Sequence, residues 1–197
     1  MKWTKRLALG AALLAASAAS AAAETVLKFV PHSDVKILDP IWTTAYITRN
    51  HGYMIYDTLF AMDAKGKIQP QMVGKYTVSD DKLTHTMVLR DGLTWHDGKP
   101  VTAEDCVASI NRWGKKDAMG QKLMSFVESL KATDAKTIVM KLSAPTGLVT
   151  LGLGKPSSNV PFMMPKRVAD TPPNEQIKDF TGSGPFVFVK DEWKPGS

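Results

Sequence analysis

The chain has 197 residues, with 25 basic against 19 acidic side chains, a formal charge of +6 and a single cysteine. That length holds one ordinary domain or two small lobes. The lone Cys106 excludes an internal disulfide framework, and the lack of any long basic run excludes the concentrated patch that nucleic-acid binding needs.

Part of the charge sits at the start. Lys2, Lys5 and Arg6 precede an apolar, Ala- and Leu-rich run from Leu7 to Ala19, and Ala21-Ala22-Ala23 supplies small residues before Glu24. This is the three-part pattern of a secretory signal peptide spanning residues 1–23, cut after Ala23. The apolar run falls short of the roughly 20 residues that span a bilayer, and no stop-transfer pattern follows it. No cysteine lies near the cut to carry a lipid. The expected mature protein is exported, soluble, not membrane-anchored and periplasmic, with 22 basic residues against 19 acidic ones.

Along the mature chain, Thr25–Val30 reads as a short strand stopped by Pro31. Residues 32–44 read as irregular, and Pro40 keeps Asp39 out of the helical region. Ile47, Met54, Ile55, Leu59 and Phe60 predict a helix over at least the second half of residues 45–60. Ala64-Lys65-Gly66-Lys67 is a turn. Lys75–Val78 and Leu83–Arg90 are strands joined by the polar turn Ser79–Lys82, with Leu83, His85, Met87 and Leu89 on one face. Asp91-Gly92 and Asp97-Gly98 are tight-turn pairs. Thr102 reads as the N-cap of a helix, Asp105 as the acid that reaches back to it, and Val101 and Cys106 as a hydrophobic staple. That helix presents Cys106, Val107, Ile110 and Trp113 on one face and is expected to break between Gly114 and Gly120. A hairpin follows, Val127–Ala132 with Thr137–Leu142. Residues 143–158 are rich in Gly and Pro around an apolar patch at Leu148–Leu153. Gly182-Ser183-Gly184-Pro185 is expected to introduce a strand from Phe186 to Lys190.

Several patterns invite a chemical reading. Ser79-Asp80-Asp81-Lys82 matches Ser-x-x-Lys and Ser157-Ser158-Asn159 matches Ser-x-Asn, which together suggest a periplasmic serine acyltransferase of the penicillin-binding or β-lactamase type. The Lys-Thr-Gly element is absent, and a surface turn cannot hold a base rigidly beside Ser79. His32, His51, His85 and His96 lack metal-ligand spacing; His85 and His96 read as structural, while His32 with Asp34 could touch a bound metal complex. Gly182-Ser183-Gly184 enters a strand and so lacks the helix N-terminus of a phosphate cradle. Cys106 reads as a core residue, as do Tyr53 and Tyr56. Trp42 and Tyr46, with Thr43 and Thr44 between them, are the loop aromatics and hydroxyls that a pocket for a polar organic ligand uses.

Four stretches, in order, carry a resemblance. They are Leu38-Asp39-Pro40 with Ile55-Tyr56-Asp57-Thr58-Leu59, Gly74 to Asp81 with its return strand, Leu89 to Trp113, and Gly182 to Phe186. Together they resemble the periplasmic dipeptide- and oligopeptide-binding proteins of ABC importers, the extracellular solute-binding family 5. The resemblance implies an α/β, periplasmic binding protein-like fold of type II, in the large peptide-binding subgroup with an extra domain, of which this chain would be an N-terminal part. Residues 24–62 would start the first lobe, 63–178 form the accessory domain and 179–197 return to the first lobe. It implies a monomeric receptor, without cofactor, metal or catalytic residue, that passes a peptide to the permease subunits. Nickel chelates, haem, opines or sugars are the alternative solutes. By the same resemblance, Thr44 corresponds to a ligand contact, with Trp42 and Tyr46 alongside.

Overall fold

The computed structural model describes residues 26–195. The expected signal peptide lies outside them. Two compact units are distinguished, one ending at Pro31 and one starting at His32. In the first, Val26–Pro31 are exposed and form no strand. The strand expected over Thr25–Val30 is therefore corrected for its described part. Alternating apolar residues become a strand only against a paired neighbour, and no ladder includes them among the described residues.

The second unit begins with helix α1, Tyr46–Ile55, and a two-stranded ribbon of β1, Phe60–Met62, and β2, Ile68–Pro70. The helix thus fills the first half of the expected span and only the start of the second, ending at Ile55. Phe60 and Leu59 belong to the ribbon and the approach to it, and both are buried. A four-stranded antiparallel sheet follows, in the order β3 (Val73–Val78), β4 (Thr84–Leu89), β6 (Thr137–Leu142) and β5 (Val127–Ala132). Its register puts His85 opposite Met140 and Met87 opposite Ile138. All four side chains are buried, so the alternation in β4 has the period and the face that the sequence indicates.

Between β4 and β5 the chain makes the two expected Asp-Gly turns, with Gly92 and Gly98 at φ of +77° and +80°, a region open to glycine at no steric cost. Helix α2, Ala103–Lys116, then starts on a complete capping box. The Thr102 hydroxyl accepts the Asp105 N–H, and the Asp105 carboxylate accepts the Thr102 N–H at 2.9 Å. The helix does not break at Gly114. It runs two residues further, and Asp117 then caps a short helix α3, Ala118–Met124, by accepting the Gly120 N–H at 2.9 Å. The glycines there serve close packing. A Cβ on Gly114 would sit 2.6 Å from Met124 Cγ, and one on Gly120 only 3.0 Å from Gly114 Cα.

Helix α4, Leu148–Leu153, is the apolar patch noted in the sequence, and α5 is a single turn, Lys166–Ala169. Helix α2 packs on β5, β6 and α5. Cys106, Ile110 and Trp113 on its inner face are fully buried, whereas Val107 is half-buried. One contiguous hydrophobic core runs from Ile41 to Ile177 in sequence. The strand expected over Phe186–Lys190 does not form. Residues 185–189 are irregular and only Lys190–Glu192 make a 3₁₀ turn. The Gly184 and Phe186 N–H groups instead donate to the Ile55 and Met54 carbonyls at the end of α1, so the segment caps a helix rather than extending a sheet.

Candidate functional site

The segment that carries Trp42, Thr44 and Tyr46 has little regular structure of its own and is held from beneath. Asp39 begins a tight turn, because its Oδ1 accepts the Ile41 and Trp42 N–H groups at 3.0 and 3.2 Å. The same carboxylate forms a bidentate pair with Arg112 on α2, Oδ1 with Nη1 at 3.1 Å and Oδ2 with Nη2 at 2.7 Å. Oδ2 also accepts the Ile177 N–H at 3.0 Å. The Arg112 and Asp39 side chains are 2% and 0% exposed. Burying two charges is costly, and it holds here because almost every polar atom has a partner. Arg112 also donates Nε to the Thr171 carbonyl and Nη2 to the Glu175 carbonyl.

A second tie lies further along the loop. Asn159 Nδ2 donates to the Ile41 and Thr43 carbonyls, both at 3.0 Å. The Asn159 carbonyl in turn accepts the indole N–H of the fully buried Trp113 at 2.8 Å. The Thr48 hydroxyl, inside α1, donates to the Ile37 carbonyl at 2.7 Å. The loop and the first turn of α1 are thereby fixed on both sides of Trp42–Tyr46.

What this scaffold presents is an open surface. Trp42 is half-buried, Thr44 is exposed, and Tyr46, the first residue of α1, is 62% exposed. The ammonium of Lys116 lies 4.5 Å from the Trp42 ring centre, and the Arg49 guanidinium lies 4.5 Å from that of Tyr46. Each is a cation over an aromatic face. Arg49 is further steered by Asn50, whose Oδ1 accepts Nε and Nη2, and by Ser157, whose hydroxyl accepts Nη1 at 3.2 Å. Tyr53, one turn beyond Arg49, packs its edge on Phe162 yet stays 40% exposed. It is therefore only partly the core residue that the sequence suggests. Burial raises its phenol pKa, opposed by the charge of Arg49. Tyr56 is core as expected, 2% exposed; burial, and then the charges of Asp39 and Asp179, push its phenol up.

The other sequence candidates resolve into structural roles. Ser79 sits in an exposed turn where its hydroxyl donates to Asp81 at 2.5 Å and accepts the Thr84 N–H. The Ser-x-Asn match is taken apart, since Ser157 holds Arg49 and Asn159 holds the loop. His85 Nδ1 meets the Tyr76 hydroxyl at 2.6 Å, and burial lowers its pKa. His96 pins the glycine-rich segment: its Nδ1 accepts the Gly182 N–H at 3.3 Å and its Nε2 lies 2.9 Å from the Gly184 carbonyl. Those glycines are needed for contact, because a Cβ on Gly182 would fall 1.8 Å from the Ile55 oxygen. His32 is exposed, and no cluster of His, Cys, Asp and Glu able to hold a metal occurs among the described residues. Cys106 is buried, and its thiol pKa is pushed up by that burial.

A cavity of about 450 Å³ is bounded by His96, Asp179, Phe180, Phe188 and Lys190. Two of its polar groups, His96 and Asp179, already have partners. His96 is bonded to the glycine segment, and Asp179 accepts from Thr181 and Arg167. Sequence reasoning did not find Arg49, Lys116 or the Asp39–Arg112 tie. The Tyr46-x-x-Arg49 spacing on one helix face could have signalled the first; the others join residues 73 or more positions apart.

Comparison with known proteins bears on this geometry. The profile described as bacterial extracellular solute-binding proteins, family 5 Middle, matches residues 67–197. The probable peptide ABC transporter periplasmic-binding protein y4tO of Sinorhizobium fredii is 46% identical over 196 residues, covering 97% of this chain and 36% of the relative. The glutathione-binding protein GsiB of Escherichia coli O1:K1 is 31% identical over 142 residues, covering 71% of this chain and 27% of that one. Among solved structures, the PBP AgaA of A. tumefaciens R10 in complex with agropinic acid superposes with a TM-score of 0.65 at 28% identity, over 81% of this chain and 32% of the other. The chain thus spans roughly a third of the length of these relatives.

Proposed function

The chain belongs to the bacterial extracellular solute-binding proteins of family 5, and from that premise we propose that it is part of a periplasmic receptor that captures a peptide or a similar small solute and delivers it to an ABC permease. Its α/β fold is that of the type II periplasmic binding proteins. Trp42, Thr44 and Tyr46 are the proposed ligand contacts on this lobe, with the indole and phenol rings as apolar walls and the Thr44 hydroxyl and backbone for a polar edge. Residues 24–62 and 179–197 are assigned to the first lobe and 63–178 to the accessory domain. Export would follow cleavage after Ala23, and no helix among the described residues is long and apolar enough to cross a membrane. The receptor acts as a monomer, catalyses nothing, and leaves ATP hydrolysis to other subunits.

The observation that carries the reading is an exposed aromatic segment locked onto the core by a buried ion pair and a buried amide. Side chains held open to solvent by such ties are pre-organised for a partner, because less freedom is lost on binding. Peptides come first as the solute because y4tO is named for them. An acyl-transfer function is disfavoured, since the Ser79 hydroxyl is engaged by Asp81 and not by a lysine. The test is a thermal-stability screen of the full-length gene product against dipeptides and oligopeptides. A bound peptide at a hundredfold excess over its Kd stabilises by about 2.7 kcal/mol. A flat response to every peptide, with a shift from another solute, would overturn the peptide assignment.

A further inference from the structure

We infer that Arg49 is the group that selects the charge of the solute, taking a carboxylate on the face that Trp42 and Tyr46 border. The inference rests on the ligand contacts proposed above and extends them to a residue outside that set. Arg49 is held at three points: its guanidinium lies over the Tyr46 ring, its Nε and Nη2 bond Asn50, and its Nη1 bonds Ser157. A guanidinium has five N–H donors, so these bonds leave one uncommitted on each terminal nitrogen.

The surrounding charge is unbalanced. Neither Arg49 nor Lys116, the two cations set over the aromatic rings, forms an ion pair with an acid among the described residues. No acidic residue occupies the first turn of α1. Two buried acids of the scaffold are already spent, Asp39 on Arg112 and Asp117 on Lys155. A planar guanidinium held in place without a counter-charge suits a carboxylate, which accepts two N–H bonds. The ring and the two oxygen acceptors hold the guanidinium in place, and a solute carboxylate can take the remaining donors without breaking any of those contacts. The carboxylate can be a peptide C-terminus or the free acid of a sugar-acid conjugate of an amino acid. The chemistry at Arg49 is the same for either.

The test is calorimetric titration of the full-length gene product with short peptides, each as free acid and as C-terminal amide. A second arm uses amino acid–sugar acid conjugates and their amides. Charge-assisted bonds of this kind predict that the wild type prefers the acid by roughly ten- to a hundredfold in whichever arm binds. Arg49→Gln should bind the amide as the wild type does and lose that preference, while Arg49→Lys keeps part of it. Melting by circular dichroism checks that the variants are folded. Equal wild-type affinity for acid and amide, or an acid preference that survives in Arg49→Gln, overturns the role of Arg49. Trp42→Ala separates the two proposals. If it weakens acid and amide alike while Arg49→Gln keeps the preference, the ligand face stands and the Arg49 assignment falls. If neither variant changes any affinity, or nothing in either arm binds the wild type, both fall.

Discussion

The stretch from Leu93 to Asp105 closes its turns and its helix cap on its own residues, whereas the run from Leu38 to Arg49 is fixed largely through distant partners. In the first, Asp105 Oδ2 accepts the Thr102 N–H, the Thr102 hydroxyl and the Trp95 indole N–H. Its turns also close internally, with Gly98 bonded to Trp95 and Val101 to Leu93. In the second, the loop hangs on Arg112, Asn159 and the Ile177 N–H, residues 73 to 138 positions away. The locally sufficient run builds scaffold. The dependent run carries the half-buried Trp42 and the exposed Tyr46, and its position is specified only once the whole core has formed. A loop that must be rigid yet open can be fixed in no other way, because its outward side chains cannot contribute packing.

Breaking the long-range ties should cost the most. Arg112→Met leaves the Asp39 carboxylate buried without its counter-ion, and the expected loss is about 3–5 kcal/mol in denaturant unfolding. Adding Asp39→Asn to that variant should recover part of the loss, since the stranded charge is then gone. Gly182→Ala comes next. Its new methyl group would fall on the Ile55 oxygen, and displacing the segment that caps α1 should cost about 1–3 kcal/mol. Removing the local cap by Thr102→Ala should cost about 1 kcal/mol, and the loss should leave ligand affinity unchanged. An effect of Thr102→Ala larger than that of Arg112→Met would reverse the comparison.

A smaller, graded effect is expected with pH. Burial holds the imidazoles of His51 and His85 below the ordinary value of 6.5. The unfolded chain therefore takes up protons at a higher pH than the folded one. The stabilisation is complete above 6.5 and is lost as the pH falls through the depressed folded values. Melting temperature should drop between about pH 7 and pH 5, and His85→Leu should flatten that dependence. An unchanged slope in His85→Leu would show that this group does not contribute.

The same contrast explains what the sequence could reveal. The capping box, the Asp-Gly turns, the hairpin over residues 127–142 and the inward face of β4 all follow from neighbours within a few positions, and all are present. The break expected between Gly114 and Gly120 falls at Asp117; what glycine's reputation as a helix breaker does not reveal is that Gly114 stays helical and is kept for the approach of Met124. No strand forms after Pro185, where the Phe186 N–H is taken by the Met54 carbonyl at the end of α1 and no ladder partner lies alongside among the described residues. Of the candidate site, the aromatic and hydroxyl side chains were visible in Trp42, Thr44 and Tyr46. The ties that hold them, and the arginine beside them, depend on contacts that no local pattern encodes.

The proposed function stands on contact between the Trp42–Tyr46 face and the solute. It is tested most directly by comparing the full-length gene product with its Trp42→Ala/Tyr46→Ala variant in a thermal-shift titration with a peptide that stabilises the wild type. Both side chains are partly or largely exposed, so the unliganded melting point should change little, while the peptide-induced shift should largely disappear. A variant that keeps the full ligand-induced shift would place the binding surface elsewhere and contradict the claim.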